Sequence, residues 1–164
     1  YNIDLNKDWV VHFRNTGAFK NISSDNFTVK TKVRVKNELF NLCPFFILMI
    51  NCRDNCFEFP LVNKGCENTV RIKFCDFIIN GNQNDLSFLG CDLEMWQELV
   101  IKNVEKNVTV FLNDKKIFLS SYNESGSTLA GFDFFFNCFC DIDYVLLFDK
   151  DNQLIYEDHF NNTQ

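Results

Sequence analysis

Between Trp96 and Phe118 the chain alternates apolar and polar residues in two runs, hinged at Glu105-Lys106-Asn107 and followed by a second turn at Asn113-Asp114. Successive side chains of a strand point to opposite sides, so Leu99, Ile101 and Asn103 share one face, and Val100, Lys102 and Val104 share the other. In the next run Val108, Val110 and Leu112 oppose Thr109, Phe111 and Asn113. Asn and Asp tolerate the positive φ of a tight turn, so Asn113-Asp114 predicts a hairpin and the stretch reads as a β-meander.

The same period recurs along the chain. Trp9 to Arg14 predicts a first strand, with Trp9, Val11 and Phe13 on one side. Phe27 to Lys36 is the cleanest alternation: Phe27, Val29, Thr31, Val33 and Val35 face inward, and Thr28, Lys30, Lys32, Arg34 and Lys36 face water. That basic stripe reads as a solvated strand face, guarded by lysines as exposed sheet surfaces often are, in preference to a site for an anionic ligand. Pro44 to Asn51 is almost wholly apolar and predicts a central strand covered on both sides. Phe57 to Val62 and Thr69 to Ile79 follow as strands, with Asn80-Gly81 a strong hairpin signal. Leu86 to Leu89 is a candidate short strand, and Asp92 to Trp96 a candidate helical turn. Ser120 to Gly131 reads as a loop. Phe132 to Cys140 predicts a strand with its even positions buried, and Asp141 to Phe148 another with Ile142, Tyr144, Leu146 and Phe148 on one face. Leu154 to Phe160 is the last strand. Eleven or twelve short strands with almost no helical periodicity make the expected class all-β, a two-sheet antiparallel β-sandwich.

Several features together resemble the concanavalin A-like and laminin G-like jelly rolls. They are a Trp opening a strand, a polar turn, Val-Thr-Val-Phe-Leu-Asn, Lys-Lys-Ile, and much later Asp143-Tyr144-Val145-Leu146-Leu147 before a final strand. The resemblance is clearest over Trp96–Phe160, and it departs from the pattern where Asp114 occupies the place of the usual turn glycine. It implies a carbohydrate-binding or surface-recognition module, with Trp96 a packing residue of the fold. It also implies calcium as the candidate ion, for which Asp149, Asp151 and Asn152 carry suitable oxygens. An Asp-Lys-Asp-Asn run between strands is what an ordinary turn looks like, and the turn is the preferred reading.

Composition narrows the partners. A chain of 164 residues is expected to be one domain spanning 1–164, a part of a larger extracytoplasmic protein, periplasmic, cell-surface or secreted. With 20 Phe, 6 Gly and 2 Pro it has the makings of a packed core. A net charge of −6 without a Lys/Arg cluster in sequence argues against nucleic acid. The longest apolar run, Leu42 to Ile50, is far short of the roughly 20 residues that insert across a bilayer. The chain opens on Tyr1 with no basic-then-apolar leader, as expected of a processed chain or an excised segment. Eight cysteines, an even number, suit a secreted disulfide-bonded domain, while Cys138 and Cys140 continue an apolar face as free core residues would.

Candidate chemistry is sparse. Jelly-roll glycosidases align carboxylates at alternate positions of one strand, and the nearest approach is Asp141-Ile142-Asp143, which lacks a third carboxylate. His12 and His159 have no nucleophile motif beside them. No nucleotide, metal or redox cofactor is called for beyond the calcium just named. Trp9, Tyr122 and Phe135 are the candidate ligand-binding aromatics, since sugar rings stack on exposed aromatic faces. Five Asn-x-Ser/Thr sequons begin at Asn21, Asn26, Asn107, Asn123 and Asn161. The expected function is therefore a non-catalytic glycan-binding module. The second reading is a protein-interaction or sensor domain of a membrane-anchored protein, and an atypical glycosidase is the third.

Overall fold

The computed structural model describes residues 11–16, 19, 21–36 and 43–160, with side chains described from residue 19 onward. The strands are β1 (Val11–Thr16), β2 (Asn26–Lys36), β3 (Phe45–Cys52), β4 (Cys56–Asn63), β5 (Arg71–Phe74), β6 (Phe77–Asn80), β7 (Gly90–Cys91), β8 (Gln97–Val104), β9 (Asn107–Leu112), β10 (Lys115–Ser121), β11 (Leu129–Phe136), β12 (Phe139–Phe148) and β13 (Leu154–His159). They form two sheets. One has the order β1-β11-β3-β4-β5-β6, with β7 lying parallel to the end of β4; the other has the order β10-β9-β8-β2-β12-β13. Every other pairing is antiparallel, so the molecule is a two-sheet β-sandwich.

The meander forms as its alternation requires. Glu105 and Lys106, then Asn113 and Asp114, all have positive φ near 50–65° (49° and 65°, 49° and 64°), the geometry of two tight hairpins whose twist suits the flanking strands. Asp114 therefore does what the expected glycine would do, because a short polar side chain tolerates the left-handed region. β2 alternates buried and half-buried positions along almost its whole length, with Val29, Val33 and Val35 fully buried. β3 is central in its sheet as expected, but it is not covered on both sides: Phe46, Leu48 and Ile50 are buried, while Phe45, Ile47 and Met49 are half-exposed.

Five local expectations are corrected. Thr69 to Ile79 is not one strand but the hairpin β5–β6, because Cys75 takes φ 53° and reverses the chain at Cys75-Asp76. Asn80-Gly81 does not join two paired strands; the glycine is needed because a Cβ there would lie 1.9 Å from the Glu67 carbonyl oxygen. Leu86 to Leu89 holds a single 3₁₀ turn in place of a strand, with Asp92 to Trp96 a non-helical turn after it. In β12 the register shifts between Ile142 and Tyr144. Ile142 lies inward opposite Val33, but beyond the bulge Val145 and Leu147 are the buried residues, and Tyr144, Leu146 and Phe148 turn to the outer face.

Aromatic rings close the space between the sheets. Phe27 of β2 meets Phe57 of β4 edge to face at 5.3 Å, Phe57 meets Tyr122 at 5.5 Å, and Phe74 of β5 meets Phe118 of β10 at 5.7 Å. One disulfide, Cys43–Cys66, closes a loop of 23 residues beside β3 and β4. Cys52, Cys56, Cys75, Cys91, Cys138 and Cys140 are free. Burial pushes the thiols of Cys75, Cys91 and Cys140 up to about 12, so they stay protonated and act as core residues.

Phe57 contacts three other rings at the centre of this packing, so Phe57→Ala should lower the unfolding free energy by about 3–5 kcal/mol. Equilibrium denaturation checks the value. Replacing both Cys43 and Cys66 by Ala should cost about 3 kcal/mol through the freed loop, read from the same curves.

Candidate functional site

The outer face of the six-stranded sheet is built from the polar half of each alternating strand. Glu98 of β8, Lys32 of β2 and Tyr144 of β12 stand side by side across three strands, with His159 of β13 continuing the row. The next row contains Arg34 and Asp141. Trp96, which precedes β8, sits beside that row: its ring centroid is 4.7 Å from the Arg34 guanidinium carbon and 5.2 Å from Lys32 Nζ. The indole is 37% exposed, so it is a surface ring and not the packing residue that the resemblance implies.

The acids of the neighbouring strands neutralise the β2 stripe. Arg34 Nη2 donates to Asp141 Oδ2 at 2.6 Å and its Nε donates to the same oxygen at 3.1 Å, while Lys36 Nζ lies 3.2 Å from it. Lys32 pairs with Asp143 at 3.0 Å and Lys30 with Glu98 at 2.9 Å. Tyr144 donates its hydroxyl to Glu98. Hydrogen bonds from Arg34 hold the Asp141 carboxyl below the usual range against burial, and Lys36 adds to the effect. At Glu98 burial acts to raise the carboxyl, and the bonds from Tyr144 and Lys30 outweigh it, leaving it lowered. Asp141 is thus kept ionised by its cations, which makes it unfit as the proton donor of a glycosidase pair.

A buried amide places the indole. Gln97, 5% exposed, donates from Nε2 to the carbonyls of Asp92 at 2.7 Å and Met95 at 3.2 Å, bracing the turn that carries Trp96. Its Oε1 accepts from Asn113 Nδ2 at 2.8 Å, and Asn113 Oδ1 accepts from the Glu98 amide at 2.8 Å. Lys32, Trp96, Glu98, Asn113, Asp114 and Tyr144 together line an open cleft of about 310 Å³. An aromatic face beside carboxylate, amide, ammonium and phenol groups is the chemistry that holds a sugar ring: the C–H face stacks and the hydroxyls find donors and acceptors.

The residues singled out from sequence are not brought together. Tyr122 is buried at 5% exposure between the sheets, where its hydroxyl donates to Asp25 Oδ1 at 2.9 Å and accepts from Asn103 Nδ2 at 2.7 Å, so it presents no face to a ligand. Phe135 is half-buried on the outer side of the other sheet, opposite Ile47. Trp9 lies outside the described residues. His12 and His159 belong to strands of different sheets. At Asp149–Asn152 the Asp149 Oδ1 accepts the amides of Asp151 and Gln153, both at 2.9 Å, and the Asp151 carboxylate pairs with Lys150. As a cation site this turn fits poorly, because its carboxylates already satisfy the loop itself. Among the described residues no three His, Cys, Asp or Glu side chains converge to hold a metal. Sequence reasoning missed Trp96 as a site residue: a Trp opening a strand is visible in the sequence, but its place beside the β2 cations and its exposure depend on strands far away in the chain.

Two antiparallel sheets with this order, and an interior filled from both, define the concanavalin A-like jelly-roll fold, which the chain has. The structure is similar to that of the carbohydrate binding module CBM66 from Bacillus subtilis, at a TM-score of 0.51 and 10% identity, over 84% of this chain and 80% of that one. It is also similar to CG-16, a homodimeric agglutinin from chicken liver, at a TM-score of 0.54 and 10% identity, over 84% of this chain and 99% of that one. At such identities the likeness is one of fold. No protein-family model matches the sequence, and comparison with curated proteins finds no match.

The ion pairs carry a pH signature. Asp141 and Glu98 both have folded values below their ordinary 3.8 and 4.5, so their stabilisation is fully present above those values and is lost as the pH falls through the lower folded ones. Melting temperature measured down an acid series should therefore drop in that window, and Asp141→Asn should flatten the drop.

Proposed function

We propose that the protein is a non-catalytic, glycan-binding jelly-roll module whose site is the Trp96 cleft. The observation that carries this reading is an exposed indole, braced by Gln97 and flanked by Lys32, Glu98, Asn113, Asp114 and Tyr144 in one cleft. The fold shared with a carbohydrate binding module and an agglutinin supports it. The cleft is open and shallow, as suits a ring laid flat on an aromatic surface, and Lys32 and Glu98 are already paired, with Asp143 and Lys30, so they are fixed in place before a ligand arrives. The disulfide is consistent with an extracytoplasmic setting.

Four of the five sequons suit the same reading. Asn107 follows the β8–β9 turn; Asn26 accepts the Glu105 amide at 3.2 Å; and Asn123 is tied to that turn through its carbonyl, which accepts from Lys106 Nζ at 2.7 Å. Asn21 lies shortly before the start of β2. Trp96 stands at the opposite end of β8, about 25 Å away for eight residues of extended chain. Glycans attached at these asparagines would leave the cleft open.

Titration of the purified protein against a panel of oligosaccharides tests the reading. Saturable binding that weakens by about 30-fold in Trp96→Ala, near 2 kcal/mol, is the expected result, with the melting temperature of the variant close to wild type. An unchanged affinity in Trp96→Ala would move the site elsewhere, and the absence of binding across the panel would favour a protein-interaction domain.

A further inference from the structure

Three lysines without a carboxylate partner among the described residues line one cleft. A second cleft, of about 670 Å³, is lined by Lys64, Lys115 and Lys116 together with Gln97, Asn113 and Phe88. It adjoins the Trp96 cleft, because Asn113 lines both and Gln97, which bonds Asn113, lines the second. Among the described residues the β2 cations are all matched by acids, Arg71 is matched by Glu58, and Lys150 by Asp151. No carboxylate among them lies within salt-bridge distance of Lys64, Lys115 or Lys116. The one acid lining the second cleft is Asp92, whose Oδ1 accepts the Glu94 amide at 3.1 Å. Three lysines against one acid in the lining, with the Glu67 carboxylate beside Gly90 and bonded to the Gly65 amide, leave a local excess of positive charge on a chain whose net charge is −6.

A cleft lined by cations without acid partners carries a positive potential that draws an anion in. The sheet does not require the trio. Lys115 and Lys116 are exposed at the start of β10, and Lys64 is exposed in the turn after β4, far from them in sequence. Only the sandwich brings them to one cleft. Asn113, exposed and lining both clefts, keeps one N–H and one lone pair beyond its bonds to Gln97 and the Glu98 amide, and these face the hydroxyls of an intervening sugar.

From this juxtaposition we infer that the ligand is an acidic oligosaccharide, one sugar stacked on Trp96 and a neighbouring unit placing a carboxylate or sulfate ester among Lys64, Lys115 and Lys116. The inference rests on the glycan-binding reading of the Trp96 cleft and adds the charge of the ligand. Uronic-acid units and sulfated units supply the same anionic oxygens at this point, and the two sources are separated by experiment.

The test titrates the intact protein with matched gluco- and galacto-oligosaccharides in three forms: neutral, C6-carboxylated and 6-O-sulfated. Wild type should bind at least one acidic form about tenfold more tightly than its neutral counterpart, as three exposed charge contacts of a few tenths to one kcal/mol would give. The gain should shrink as salt is raised toward 0.5 M, since exposed charges are screened there. In the triple variant K64Q/K115Q/K116Q the gain should vanish while neutral binding stays as it was; in Trp96→Ala both forms should lose affinity. The acidic form that shows the gain identifies the anionic group. Equal affinity for neutral and acidic forms, or a preference that survives the triple variant, overturns the inference and leaves the Trp96 reading standing. Acidic binding that survives Trp96→Ala but not the lysine changes overturns the shared site, and no binding of any form overturns both readings.

Discussion

The stack of aromatic rings that runs between the sheets is what the rest of the molecule depends on. Phe27 and Phe118 come from the six-stranded sheet, Phe57 and Phe74 from the other, and Tyr122 packs on Phe57 with its hydroxyl satisfied by Asn103 and Asp25. Large rings supply most of the apolar area that is removed from water, and their edge-to-face preference fixes how the sheets lie on one another. Once the sheets are fixed, the outer faces are determined, because a strand residue that is not inside must be outside.

The charged surface of the six-stranded sheet follows from that constraint. β2 lies between β8 and β12, so its cations meet acids from both neighbours: Glu98 on one side, Asp141 and Asp143 on the other. Each pair is partly exposed and contributes little by itself. Collectively they immobilise the groups around Trp96. The bulge in β12 matters for the same reason, since it turns Tyr144 outward, where it meets Glu98. The free lysines on the other side of Asn113 complete an asymmetric surface: paired charges under the indole, unpaired ones beyond it.

Much of the fold was legible before any coordinates. The alternation in Phe27–Lys36 and in Trp96–Phe118 identified strands, faces and both tight turns, because side-chain period and turn chemistry are local properties. Errors came where a local pattern was overridden. Val70 to Phe74 continues its alternation into Cys75, yet Cys75 adopts positive φ, which an amino acid of that kind seldom signals. Asp141 to Phe148 reads with one phase, and the bulge shifts it by one residue, so Tyr144, Leu146 and Phe148 part from Ile142 and face out. Tyr122 looked uncommitted in a polar loop, but the loop folds over the end of the core and takes the ring with it.

By itself, then, the sequence determined the class of structure and the two-faced character of its strands, for periodicity is written residue by residue. It also determined that β2 would carry a basic outer face. Only the tertiary structure decided what that face would do. The partners of Lys30, Lys32 and Arg34 lie about 70 to 110 positions away along the chain, Lys64 shares a cleft with Lys115 and Lys116 across some 50, and Trp96 is exposed because of which strands flank it. Contacts of that span depend on sheet order and register, which alternation along one strand does not encode.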